Sequence, residues 1–195
     1  MMTKNMCSKI KIGIFGGSFD PVHMGHVAVA TRAIEKLRLE KLYVIPAYIP
    51  PHKVSSTVAP YDLRRSWLKK VFCEVEQACV SDYERERGGI SYSLFTVRHF
   101  AEVHGCKPFL VIGEDSLVTL ESWYEYKALL NEATIVVYPR SEGSVDLPFV
   151  EKVVWLDAPR FDLSSTEIRK KIVEGKSIEG LVPDSILDEV TTYYG

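Results

Sequence analysis

Apolar positions along this chain recur with two periods, and the two alternate. Residues 9–15, KIKIGIF, are apolar and β-favouring and stop at a double glycine, which predicts a first, mostly buried strand. Val27, Ala30, Ile34 and Leu37 then recur at helical spacing, predicting a helix over 26–39 whose pattern begins near Met24. A short second strand follows at 42–46. Strand, helix and strand in succession make a βαβ unit, which implies a parallel sheet and a right-handed crossover.

The alternation continues to the carboxyl end. Residues 47–60 carry Pro50, Pro51 and Pro60 without periodicity and predict a loop over the sheet's edge. Asp62 is placed to cap a helix over 62–78, with Leu63, Trp67, Leu68, Val71, Phe72 and Val75 as its apolar stripe. Residues 79–89 are polar, and ERER at 84–87 reads as a solvated charged turn. A helix is predicted over 92–104, capped by Ser91 or Ser93, with His99 and His104 solvated or packed on it. Strands are predicted at 107–113, 133–138 and 153–156, with a strand-to-helix turn at Glu114, Asp115 and Ser116 and a loop at 141–148. Ser164 and Glu167 form a capping-box pattern opening a helix that reaches Glu174, and a last short helix runs from 183 to about Tyr193. Trp67 and Trp155 sit in apolar patterns and read as core residues. No repeat or low-complexity tract interrupts the pattern. The expectation is a single α/β domain over 1–195, a Rossmann-like doubly wound parallel sheet, with 1–8 as a flexible N-terminal segment.

Composition narrows the function. The 195 residues are 46% hydrophobic and 26% charged, enough for one sizeable core, and 24 Lys plus Arg against 26 Asp plus Glu leave a net charge of −2. Broad electrostatic capture of nucleic acid is not expected from that balance. Cys7, Cys73, Cys79 and Cys106 match no zinc spacing and read as reduced thiols. Without a secretory h-region or a run near the ~18 apolar residues of a membrane span, a cytoplasmic protein is expected.

Two stretches carry candidate chemistry. GGSFDPVHMGH at 16–26 places glycines, His23 and His26 between a strand and a helix start. Glycines allow close backbone approach, a helix amino terminus offers N–H donors and a positive dipole end, and histidines three apart face one ligand. All of this favours an anion such as a phosphate. A metal site would need a third ligand, for which only Asp20 is near, and Asp20 before Pro21 is expected to fix the turn through its own backbone. A purely structural turn is the other alternative. SSTEIR at 164–169 sets hydroxyls, helix N–H groups and Arg169 together as a second anion clamp, although any helix can open on serines.

Together, GGSFDPVHMGH and LSSTEIR resemble the paired signature of the nucleotidyltransferase superfamily with the HxGH motif. Within it the chain is most similar to the bacterial nicotinate-mononucleotide adenylyltransferases. The narrower likeness rests on PPHK at 50–53, Arg64 ahead of Trp67 and Leu68, SYS at 91–93, GEDSL at 113–117, SWYEY at 122–126 and LVP at 181–183. Leu163 stands where that family usually has isoleucine. The resemblance implies adenylyl transfer from ATP to nicotinate mononucleotide, with Mg2+ carried mainly by the ATP phosphates and no protein metal ligands. It implies that His23, His26 and Arg169 are catalytic, and that Gly16, Gly17, Ser18, Gly113, Asp115, Ser165 and Thr166 bind ATP. Phe19, His52, Lys53, Ser93 and Trp123 would hold the mononucleotide, with Trp123 stacked on the pyridine ring. A homo-oligomer is compatible with this reading, and no nucleic-acid or membrane partner is expected. Transfer to nicotinamide mononucleotide or phosphopantetheine, transfer of cytidylate to an alcohol phosphate, a nucleotide-binding module without turnover, and a detached class I synthetase core are the alternatives.

Overall fold

Alternate residues of the strands enter two different cores. The computed structural model describes residues 10–51, 58–139, 147–157 and 163–195. Strands β1 (Ile12–Gly17), β2 (Lys41–Pro46), β3 (Ala78–Val80), β4 (Phe109–Gly113), β5 (Thr134–Tyr138) and β6 (Val154–Trp155) pair in parallel in the order β3-β2-β1-β4-β5-β6. Phe15, Leu42, Val44, Val111 and Val136 point to one face, and Ile12, Ile14, Tyr43, Ile45, Leu110, Ile112, Ile135 and Val137 to the other. The period of two in an all-parallel sheet produces this division, because helices cover both faces.

Helices α1 (Met24–Leu37), α2 (Tyr61–Phe72), α7 (Ser165–Val173) and α8 (Leu187–Tyr194) cover the first face through residues such as Ala30, Trp67, Ile168 and Val190. On the second face lie α4 (Ser93–His104), α5 (Glu114–Val118) and α6 (Tyr126–Glu132), with Leu94, Val97, Leu117 and Leu129 buried against the sheet. The doubly wound parallel sheet is therefore the one expected. Its winding reverses between β1 and β4, and such folds open a crevice at the carboxyl ends of the strands where that happens. Those ends are Gly16 and Gly17 on one strand and Gly113 on the other.

Several local expectations are corrected. The helix expected over 62–78 stops at Phe72, and Ala78–Val80 becomes an edge strand paired with β2. Pairing with Leu42 to Val44 outweighs a weak helical pattern there, and Pro60 rather than Asp62 is the N-cap. The ERER segment falls in a short helix, α3 (Tyr83–Arg87), and Glu84 within it is buried rather than solvated. Helix α4 has Tyr92 as N-cap and no capping side chain, while the Ser91 hydroxyl accepts the Tyr48 and Ile49 N–H groups at 2.9 and 3.2 Å. Trp67 is fully buried, but Trp155 is 40% exposed on the sheet's edge. His99 stacks on Tyr83 with centroids 4.0 Å apart, and His104 Nε2 lies 2.8 Å from the Tyr43 hydroxyl, so both are packed. The segment 1–8 and Cys7 lie outside the described residues, among which Cys73, Cys79 and Cys106 are thiols.

Candidate active site

The turn from β1 into α1 is built from contacts that reach far along the chain. A Cβ on Gly17 would stand 3.1 Å from the Phe19 ring and crowd it, whereas the Cβ side of Gly16 opens on free space. Phe19 takes φ 48° and packs edge-on against Phe15 and His26, with centroids 5.4 and 4.9 Å apart. The Asp20–Pro21 peptide is cis. Asp20, 2% exposed, does not bond its own backbone as expected. Its Oδ1 accepts the Ala59 N–H at 2.9 Å and the Tyr194 hydroxyl at 2.6 Å, so it ties the turn to distant elements.

His23 is the N-cap of α1 and His26 its third residue, and the His26 side chain reaches back to the cap residue's backbone. The His23 N–H donates to His26 Nδ1 at 3.2 Å, which puts the proton of a neutral His26 ring on Nε2. Their rings lie 3.7 Å apart at 31°. Both imidazoles are thus fixed at a helix amino terminus, where the macrodipole favours negative charge.

The second stretch docks onto this turn. The Ser164 hydroxyl accepts the Glu167 N–H at 3.2 Å and Glu167 Oε2 accepts the Ser164 N–H at 3.1 Å, the capping box read from the sequence. The Ser165 hydroxyl donates to the Pro21 carbonyl at 2.9 Å. Arg169 Nη1 donates to the Asp20 carbonyl at 2.5 Å and lies 3.4 Å from Asp20 Oδ2, while Nη2 reaches the Thr166 hydroxyl at 3.3 Å. The two motifs are one structure, although 144 residues separate Pro21 from Ser165.

Two cavities meet at the carboxyl ends of β1 and β4. One, of about 400 Å³, is lined by Gly16, Gly17, His23, His26, Gly113, Asp115 and Ser116 among others. The other, of about 470 Å³, is lined by Gly16, Gly17, Ser18, Pro50, Ser93, Ser116 and Trp123 among others. They share Gly16, Gly17 and Ser116, and each has the volume of a small-molecule site. A molecule in each would bring its inner end to the same glycine edge.

The expected site residues divide accordingly. His23, His26, Gly113 and Asp115 surround the first cavity and Ser18, Ser93 and Trp123 the second. Phe19 lines neither; it is 2% exposed and supports His26 from beneath. Ser165, Thr166 and Arg169 brace the turn rather than the walls described here. His52 and Lys53 lie outside the described residues. Reading by motif passed over Ser116 as a shared wall and Glu84, which lines the second cavity. Nothing in a charged run announces a buried carboxyl. Burial pushes the Glu84 carboxyl up, against hydrogen bonding from Ser91 and Thr96, and the Thr96 hydroxyl donates to its Oε1 at 3.0 Å.

Among the described residues no three His, Cys, Asp or Glu side chains gather as metal ligands, and no helix is long and apolar enough to cross a membrane. Residues 14–171 match the cytidylyltransferase-like family model. A protein of Thermotoga sp. strain RQ2 described as "probable nicotinate-nucleotide adenylyltransferase" is 48% identical over 95% of this chain and 97% of its own length. A Thermotoga maritima protein of the same description is 47% identical over 99% of this chain and 97% of its own. Among solved structures, the Plasmodium falciparum nicotinic acid mononucleotide adenylyltransferase complexed with NaAD superposes with a TM-score of 0.81 at 18% identity. That match covers 94% of this chain and 96% of that one, and shows the shared fold.

Proposed function

This chain belongs to the cytidylyltransferase-like family, and from that membership we propose that it transfers the adenylyl group of ATP to nicotinate mononucleotide, giving nicotinate adenine dinucleotide and pyrophosphate. The observation that carries the reading is the pair of cavities joined along Gly16, Gly17 and Ser116. The lobe holding His23 and His26 takes ATP, and the lobe holding Trp123 and Ser93 takes the mononucleotide. The acceptor's phosphate and the α-phosphate of ATP then meet at the glycine edge between them.

The chemistry follows from positions. The acceptor oxygen is already anionic at neutral pH, so in-line attack needs no general base and no covalent intermediate. A new P–O bond forms from the acceptor phosphate to the α-phosphorus as the bond to pyrophosphate breaks. Charge growing on the α-phosphate and the leaving group is stabilised by His26, by His23 and by the amino-terminal dipole of α1. Arg169 and Ser165 hold the turn that carries both imidazoles. Trp123 offers a flat apolar face to the pyridine ring, and Ser93, first residue of α4, offers a backbone N–H that the helix itself leaves unpaired, to the ring's carboxylate. Mg2+ would suit this lobe, where Asp115 supplies a carboxylate near the phosphates that would carry the ion.

Pyrophosphate release on mixing the protein with ATP, Mg2+ and each of three acceptors tests the proposal. Nicotinate mononucleotide is expected to support the fastest release, ahead of nicotinamide mononucleotide, with phosphopantetheine inert. Release with phosphopantetheine alone would overturn the substrate.

A further inference from the structure

Glu84, in α3, is a buried carboxyl in the wall of the Trp123 cavity, 8% exposed. The hydroxyl of Thr96, in the first turn of α4, donates to its Oε1 at 3.0 Å. A second donor is Ser91. Its hydroxyl accepts the Tyr48 and Ile49 N–H groups at 2.9 and 3.2 Å, which occupies both lone pairs, and its one proton is left for the Glu84 carboxyl. The Ser91 N–H in turn donates to the Ile49 carbonyl at 2.9 Å. Arg64, 2% exposed, pins the same segment one residue earlier, donating to the Ala47 carbonyl at 2.9 Å and to those of Ser18 and Ala59 at 2.6 and 2.8 Å.

One carboxyl thus ties together α3, the segment after β2 and the start of α4. Helix α4 has no capping side chain of its own, so the placement of its first turn depends on Ser91 and Thr96, which flank it. Between them lie Tyr92 and Ser93, which line the cavity with Glu84 and Ser91. Tyr92 also stacks on Tyr124, with centroids 4.6 Å apart, so the network reaches the segment that carries Trp123.

Stability does not account for this carboxyl. Its Oε2 is buried without a hydrogen-bond partner among the described residues, which is unfavourable. The neighbouring Arg87 directs Nη1 to the Gly88 and Ile90 carbonyls at 3.0 and 3.1 Å and lies over the Phe95 ring. An apolar side chain of the same size would remove the unpaired oxygen but leave the Ser91 and Thr96 hydroxyls without their acceptor. What the carboxyl supplies is the placement of those two hydroxyls.

We propose that Glu84 is a positioning residue for the acceptor: by anchoring the Ser91 and Thr96 hydroxyls it fixes the start of α4 against residues 48–49, and so sets the wall that distinguishes nicotinate mononucleotide from its amide analogue. The proposal rests on the adenylyl-transfer reading above. Glu84 acts through residues 91–93 and does not itself touch the substrate.

The test measures pyrophosphate release by the full-length protein with each mononucleotide. Glu84→Ala is expected to raise the KM for nicotinate mononucleotide about tenfold, as for loss of a buried hydrogen-bonded anchor, with kcat and the KM for ATP within about twofold. The preference for nicotinate over nicotinamide mononucleotide, as a ratio of kcat/KM values, should shrink. Glu84→Gln, which keeps a carbonyl oxygen for the Thr96 hydroxyl, should recover most of both. Thr96→Val removes one anchor without changing the side chain's shape, and should raise the same KM about threefold; it carries the test if Glu84→Ala does not fold. A mononucleotide KM unchanged in these variants, an equal rise for ATP, or a Gln variant no better than the Ala one would overturn the proposal. Failure of the unmutated protein to release pyrophosphate with nicotinate mononucleotide would instead overturn the functional reading.

Discussion

The hydroxyl of Tyr194, in the last helix, donates to Asp20 Oδ1 at 2.6 Å across 174 residues of sequence. The same carboxylate accepts the Ala59 N–H and faces Arg169, and so joins the histidine turn, the end of the proline-rich loop, the second motif and α8. Burial, reinforced by the hydrogen bond to Asp20, raises the Tyr194 pKa, so the phenol stays a donor through the physiological range.

Tyr194→Phe removes one hydrogen bond to a buried charge and leaves the ring in place. Urea denaturation should show a loss of about 1.5–3 kcal/mol. The KM for ATP should rise a few-fold, since Asp20 also orients Arg169. Unaltered stability would mean that Asp20 does not depend on this donor.

On the proposed mechanism, His26→Ala removes a donor from the charge that develops on the α-phosphate and pyrophosphate. Turnover should fall by about 10²–10³, the usual cost of losing one such group. The fold, read by circular dichroism, should persist, because Phe19 and Phe15 remain packed beneath the turn. Near-normal turnover would exclude His26 from catalysis.

Trp123→Ala opens one wall of the acceptor lobe. Loss of ring stacking, about 0.5–1.5 kcal/mol beyond burial, should raise the mononucleotide KM several-fold or more while sparing that for ATP. Quenching of Trp123 fluorescence by the mononucleotide in the unmutated protein checks the contact directly.

Glu84 makes stability depend on pH in a definite direction. Its folded pKa is raised by burial above the unfolded value of about 4.3, so across that interval the native state binds more protons and stability falls as pH rises. Glu84→Gln keeps an acceptor for the Thr96 hydroxyl and removes the titration. Urea midpoints should therefore favour the variant more at pH 8 than at pH 4.5, and a gap that does not change with pH would contradict the burial argument.

Asp82 acts in the opposite sense. The Arg65 hydrogen bonds depress its pKa, so the stability it contributes is present above about pH 3.9 and is lost as the pH falls through the lower folded value. Asp82→Asn should thus destabilise the protein at neutral pH and narrow the difference from the unmutated protein in acid.

Five of the six strands described, the helices that open at Met24 and Ser165, the glycine- and histidine-bearing turn and the capping box at Ser164 were legible in the sequence because each is set by neighbouring residues. Apolar periodicity, glycine placement and helix-start chemistry all act within a few positions, and a motif spanning eleven residues, GGSFDPVHMGH, carries its own geometry. What only the tertiary structure decided depends on residues far apart. A short strand at Ala78–Val80 exists because β2 pairs with it, and Trp155 is exposed because β6 stands at the sheet's edge. Glu84 is buried because α3 folds against the Trp123 cavity. Arg64 and Asp20 become organising charges only when β1, the proline-rich loop, α7 and α8 converge around them. Sequence specified the pieces through local propensity; burial and long-range hydrogen bonds, which no local pattern encodes, decided which of them hold the site.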